Sequence, residues 1–246
     1  MNKKYELTTE IKTFRGKTLY RIKAVRDFGD VKAGDMGGYV EKESNLSHDG
    51  DAWVYSNAQV SGNARVYGDA QVYGDTWVSG NARVYGNAQV SGNARVYGNA
   101  QVSGNAWVSD NAQVSGDAWV NGNAWVYGNA QVSGDAWVYG NAWVYGNAQV
   151  YGNAQVNGNA WVSGDAQVSD DADYLCFKGL GSENRNTTFF KCKDGHIHVS
   201  CGCFSGTVPE FETKVKETHG DSKYAREYLA AVEVVKIHFE EEIHNA

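Results

Sequence analysis

Four cysteines, Cys176, Cys192, Cys201 and Cys203, surround two histidines, His196 and His198, near the end of a 246-residue chain. Thiolates and imidazoles are the ligands of structural zinc, so this cluster is the first to test for metal chemistry. The spacing argues against it. Structural zinc knuckles separate their paired cysteines by about two to four residues, whereas Cys201-Gly202-Cys203 leaves one, and on a strand His196 and His198 point away from Cys201 and Cys203. The expectation is reduced, half-buried hairpin cysteines with no metal and no cofactor, a metal site and a disulfide being the alternatives. Ser182, Arg185, Thr187 and Thr188 offer a guanidinium and three hydroxyls to an anion, or form a capped loop. His48, with Asp49 and Asp51 nearby, is the remaining group placed to move a proton, and a lone histidine at a segment boundary reads as structural.

These residues flank an array that must position everything else. Valine stands at every sixth position from Val54 to Val168, twenty times without a break. A six-residue period held this long marks a solenoid, in which each rung buries its apolar side only by stacking on its neighbours. The unit is Val-[Tyr/Ser/Asn]-Gly-[Asn/Asp]-Ala-[Gln/Arg/Trp]; Ala and Val alternate inward along a four-residue strand, and Gly-Asn or Gly-Asp turns the corner. Gly, Asn and Asp tolerate the left-handed backbone that a sharp repeated corner requires. Ser56, Asp110 and Asp170 replace the corner Gly, and Thr76 alone interrupts the Ala column.

The Val-x-x-x-Ala motif over residues 51 to 172 resembles the hexapeptide-repeat family. The resemblance implies a mainly β fold, a left-handed parallel β-helix of triangular section with eighteen residues per coil. Hexads also build right-handed triangular helices in bactofilin-like filament proteins, so the period does not fix the hand. Twenty hexads make six to seven coils, a prism roughly 30 Å long at a strand spacing of about 4.8 Å.

Folding the sequence at eighteen residues per coil lines up its outward side chains. Trp107, Trp125, Trp143 and Trp161 fall in one column, with Trp53 further down it and Tyr127 and Tyr145 beside it. Gln113, Gln131, Gln149 and Gln167 line a second face, and Arg65, Arg83, Trp119 and Trp137 a third. Three uses fit the aromatic strip: rigidifying a sheet with only Val and Ala inside, forming an interface, or stacking a sugar or base. A homotrimer would bury it most simply.

Residues 1 to 50 read as a β cap with the first coil: strands Tyr5–Phe14 and Lys17–Phe28 turn at Arg15-Gly16, and Val40 and Leu46 fall in the inward Ala register. Tyr20-Arg21-Ile22-Lys23-Ala24 and Gly37-Gly38-Tyr39-Val40 resemble the opening segment of hexapeptide proteins of bacteria and phages, including a transferase-like group. The solenoid spans 51 to 173. Residues 174 to 246 form an α+β module, ββαα: Thr187–Lys193 pairs with His196–Phe204 across Asp194-Gly195, then come a helix capped by Thr207 and ending before His219-Gly220, and one from Asp221 or Ser222 to about Glu241. In the second helix Tyr228, Val232, Val235 and Phe239 form the apolar stripe, backed by Ala225 and Leu229. Gly181-Ser182, Thr187-Thr188-Phe189-Phe190 and Cys201-Gly202-Cys203-Phe204 resemble a small module of phage and prophage proteins.

The net charge is −7, and between Lys42 and Lys178 the only cationic side chains are Arg65, Arg83 and Arg95, so duplex nucleic acid is not an expected partner. No apolar run approaches membrane-spanning length, which leaves a cytoplasmic location as the default, the host cytoplasm if the chain is phage-encoded. Hexapeptide acyltransferases use a His general base and related carbonic anhydrases three His on zinc, yet no His occurs from Asp49 to Gly195 and no loop interrupts the hexads. No catalytic residue is therefore assigned. The expectation is a non-catalytic scaffold acting through protein contacts, with its own copies or a host protein as partner. A bactofilin-like filament, a small-ligand binder and an acyltransferase-like enzyme are the alternatives.

Overall fold

In a computed structural model, which describes residues 3–239, each hexad forms one rung of a three-sided solenoid. Strands β1 (Tyr5–Phe14), β2 (Lys17–Ala24) and β3 (Met36–Val40) precede twenty two-residue strands, β4 (Trp53–Val54) to β23 (Gln167–Val168). Each rung has two ladder residues rather than four, because the flanking outward residue already belongs to the corner. Every third rung pairs in parallel, as in Trp107↔Trp125 and Val108↔Val126, giving sheets of ten, seven and six strands around about seven coils. The Val and Ala columns from Ala52 to Val168 are wholly buried. Thr76 keeps its place in the Ala column by donating its hydroxyl to the Tyr73 carbonyl, 2.7 Å.

The two corner positions divide their work, which corrects the expectation that both favour left-handed backbone. Only the first is left-handed: the corner glycines from Gly50 to Gly164 have φ of 62° to 79°, and Ser56 and Asp110 follow them at 50° and 57°. Asp170 stays extended at −142° because the chain leaves the solenoid there. A Cβ on Gly116 would lie 2.8 Å from the Gly134 carbonyl oxygen and 2.9 Å from its nitrogen, so close stacking as well as backbone angle selects Gly. The second position builds amide ladders along the edges. Asn87, Asn105, Asn123 and Asn141 each donate Nδ2 to the Oδ1 one coil on, at 2.9–3.0 Å, and Asn159 accepts the last of these bonds. A second ladder runs from Asn63 through Asn81 and Asn99 and ends at Asp117, whose carboxylate accepts but cannot donate to Asp135.

The first coil is longer than the rest. Val40 pairs with Val60 and Leu46 with Val66, twenty residues on rather than eighteen, so both occupy the Val columns and not the Ala register expected of them. Leu46 and Val54 are eight apart, and the two additional residues bulge at the corner that carries His48.

Stacked parallel rungs leave outward carbonyls at one end and outward N–H groups at the other, and the two caps answer in kind. At the N-terminal end, Lys4 Nζ donates to the carbonyls of Gly50 and Ala52, and Asn45 Nδ2 to those of Gly62 and Ala64. At the C-terminal end acceptors take over: Thr188 Oγ1 receives Trp161 N–H, Asp171 receives Gln155 N–H, and Asp173 receives Ser169 N–H. Burial penalises the Lys4 ammonium and lowers its pKa from 10.5 to about 8.

The hairpin turn at Arg15-Gly16 takes positive φ at both residues, 49° and 76°, as a two-residue turn requires. Strand β2 stops at Ala24, short of Phe28, which instead turns inward onto Trp53 with ring centroids 5.3 Å apart. The C-terminal module has four strands, not two: β24 (Tyr174–Leu180), β25 (Arg185–Lys191), β26 (Ile197–Cys201) and β27 (Phe204–Thr207) form one antiparallel sheet in that order. The ββαα reading missed β24 because it follows the repeat directly, and β27 because Gly202 (φ 59°) ends β26 early. Helix α1 (Val208–His219) begins with a Thr207–Glu210 capping box and ends at Gly220, and α2 (Lys223–His238) is capped by Ser222. An extension to Glu241 lies outside the described residues. The α2 stripe packs with Phe189, Val199 and Phe211 on one side of the sheet, while Phe190 and Cys192 on the other side join the solenoid core.

Gly116→Ala is expected to cost about 1–3 kcal/mol from strain at its left-handed corner, and Asn123→Ala about 1–2 kcal/mol from two lost amide bonds, both read by urea denaturation. For Lys4 the folded pKa lies below the unfolded one. The unfolded chain therefore holds more protons between pH 8 and 10.5, and stability relative to Lys4→Met should rise with pH across that window and be flat below it. Parallel unfolding curves over this range check the sign.

Candidate functional site

In-register stacking sets each outward side chain directly over its counterpart one coil below, so identical residues must touch. Trp125 and Trp143 are 5.2 Å apart at 9°, and Trp143 and Trp161 5.2 Å at 12°, near-parallel stacks. Trp107 meets Trp125 edge-on, 4.8 Å and 75°, and its indole N–H is buried without a hydrogen-bond partner among the described residues. Tyr127 and Tyr145 stack at 5.1 Å and 4° in the adjoining column, and Tyr127 packs edge-on against Trp143. Burial raises the Tyr127 pKa, with the neighbouring Tyr145 adding to it, so the phenol stays neutral. On the third sheet Trp119 and Trp137 stack at 5.0 Å and 6°, with Trp137 41 % exposed.

The strip is thus an assembled surface of half-buried rings. Trp53 does not belong to it. Gln71 and Gln89 separate it from Trp107 in the same sheet, and the cap covers it, leaving 1 % exposed against Tyr5 and Phe28. Trp77, on the ten-stranded sheet, lies under the β1–β2 hairpin, with Arg15 stacked over it at 4.1 Å and Phe14 at 5.7 Å. The cap therefore uses the lower aromatics, and those above Gln89 face outward.

The four residues considered for an anion do not converge. Thr187 and Thr188 are buried neighbours on β25 and so point to opposite faces of the sheet. Thr187 donates to Cys201 Sγ at 3.2 Å, while Thr188 takes the Trp161 N–H. Ser182 and Arg185 are exposed in the β24–β25 turn region. Thr188 works as a joint between module and solenoid, a role that sequence spacing could not signal because it depends on which rung lies opposite, while Thr187 faces the module's own core. His48 is likewise committed: it stacks on Tyr5 at 4.5 Å, accepts the Lys4 N–H on Nδ1, and burial lowers its pKa.

All four cysteines are free thiols, Cys192 and Cys201 buried and Cys176 and Cys203 exposed. His198 and Cys201 point to opposite faces of β26, yet His198 shares its face with Cys192, from the preceding strand end, and with Asp194 in the turn. Sequence spacing does not signal this convergence, because it depends on the β25–β26 register that brings Cys192 onto the face of His198.

Residues 58–75, 78–90, 88–100, 112–128, 130–146 and 148–164 match the family model of the YdcK beta-solenoid repeat. The rungs are similar to that repeat. All of the matched segments lie in the hexad array, and the chain is a β-solenoid repeat protein with its own strands and helices at the two ends. No curated protein matches the sequence. No helix among the described residues is long and apolar enough to cross a membrane.

Trp143, with an indole on each side, should contribute more than Trp137, with one. Trp143→Ala is expected to cost about 1–3 kcal/mol, two aromatic pairs at about 0.5–1.5 each, and Trp137→Ala about half as much, compared by denaturant midpoint.

Proposed function

We propose that this chain is a non-catalytic scaffold that binds protein through its aromatic face, with further copies of itself as the occupant and a homotrimer as the assembly. The observation that carries this reading is the column Trp107, Trp125, Trp143 and Trp161, with Tyr127 and Tyr145 beside it, whose rings stay partly exposed among the described residues. A contiguous apolar strip of this kind favours burial by a partner, and three equivalent prisms bury one face each in a closed, symmetric arrangement. The absence of any cation after Arg95 in the solenoid sequence means that apposed faces meet without basic repulsion.

The competing readings find less support. Acyl transfer of the hexapeptide kind has no histidine base within the rungs, and His48 is engaged by the cap. End-to-end filament growth of the bactofilin kind is opposed by side-chain caps at both ends, Lys4 and Asn45 at one and Thr188, Asp171 and Asp173 at the other. A phage origin rests on sequence resemblance; it would put the chain in the cytoplasm of a host and make a host protein the alternative occupant of the same face.

Sedimentation equilibrium of the chain beside Trp125→Ser/Trp143→Ser tests the assembly. A trimer that falls to monomer in the double variant is the expected result; a monomeric chain in both cases sinks the self-association reading.

A further inference from the structure

The turn that plugs the C-terminal end of the solenoid gathers three different ligand types. Cys192 Sγ, a carboxylate oxygen of Asp194 and a ring nitrogen of His198 all lie within 4.8 Å of one another. The residues come from one hairpin, Cys192 just after β25, Asp194 in the turn and His198 on β26, where the Cys192 N–H donates to the His196 carbonyl and the Asp194 carboxylate accepts the His196 N–H. The geometry points to a zinc-type divalent cation site made by Cys192, Asp194 and His198, which clamps this hairpin onto the last coil.

The chemistry of each group suits such an ion. Asp194 Oδ2 and His198 Nε2 approach to 2.8 Å, two lone-pair atoms bridged by a single proton that a cation can replace. The Cys192 thiol makes no hydrogen bond among the described residues and is 7 % exposed, but it borders an open cleft with Tyr151, Gln167, Asp173 and Lys191, which gives an ion and water a route in. Burial, with Asp194 and Asp165 nearby, pushes this thiol up to about 12, so without a cation it stays protonated. On binding, the thiol proton passes to solvent and the proton between Asp194 and His198 leaves Nε2, to solvent from an imidazolium or to Nδ1 of a neutral ring; thiolate, imidazole Nε2 and carboxylate then coordinate the metal, with the ring's one proton on Nδ1. Tetrahedral bonds of about 2.0–2.3 Å set ligand atoms roughly 3.3–3.8 Å apart, so the Asp194–His198 pair opens from 2.8 Å while Cys192 Sγ, within 4.8 Å of both, closes on them, adjustments that the exposed Asp194 side chain permits. Three protein ligands leave the fourth tetrahedral position to water or a partner's side chain.

The position gives the ion something to hold. Cys192 belongs to the solenoid core cluster, forms a bridge with Ala166 of the last coil, and is followed by Lys193, whose N–H donates to the Asp165 carbonyl. A cation here ties the plug to the rung it covers.

Cobalt(II) added to the full, metal-stripped chain is the probe, because a thiolate ligand gives it a ligand-to-metal charge-transfer absorption. One cobalt per chain showing that band, released by zinc, is expected. His198→Gln and Asp194→Asn should weaken binding at least about tenfold, and Cys192→Ala should remove the band, while Cys203→Ser and His196→Gln leave it unchanged. His198 and Asp194 are partly exposed, so these two variants read the site even if Cys192→Ala fails to fold. No thiolate band, a band that follows Cys203, or wild-type affinity in both His198→Gln and Asp194→Asn overturns the assignment.

Discussion

Everything in this molecule follows from coils that close after eighteen residues and stack in register, so that every side chain rests on its own equivalent about 4.8 Å away. That single constraint selects residues position by position. Inside, Val and Ala fill a narrow triangular core, with Thr76 the one exception between Ala52 and Val168. At the corner the neighbouring Gly backbone leaves no room for a Cβ. One residue later, asparagine is preferred because an amide is both donor and acceptor and can extend a ladder indefinitely, while aspartate can only end one. On the faces the same stacking turns separate Trp and Tyr residues into continuous aromatic surfaces.

A parallel stack also has a direction, and its ends are chemically unlike. Carbonyls point out of the first coil and N–H groups out of the last, so the first is closed by a lysine and an asparagine amide and the last by a threonine and two aspartates. Leaving such groups unpaired would be costly and would present an edge for uncontrolled pairing. The expanded first coil, with His48 in its bulge, and the four-stranded sheet at the far end are the structures that bring these capping side chains into place.

Function is divided accordingly. The rungs carry surface and no histidine, which suits recognition by shape and aromatic contact. The residues with coordination chemistry lie where the module meets the last coil, at a joint and away from the flat faces. Scaffold and clamp are thus separate parts of one chain.

The sequence by itself determined the rung, the three columns and their contents, since a strict hexad leaves the chain no other way to bury Val54 to Val168. It also marked the Arg15-Gly16 turn and the caps of both helices, which are local backbone chemistry. Only the tertiary structure decided what depends on contact between distant segments. Trp53 left the surface because the cap closes over it, and Val40 changed column because two additional residues enter the first coil after it. Thr188 became a joint because the last coil needed an acceptor, Thr187 turned into the module core, and Cys192 met His198 because antiparallel pairing folds the Asp194 turn back on itself. Periodicity fixes neighbours eighteen residues apart, but where the repeat stops, the packing partner alone assigns each residue its role.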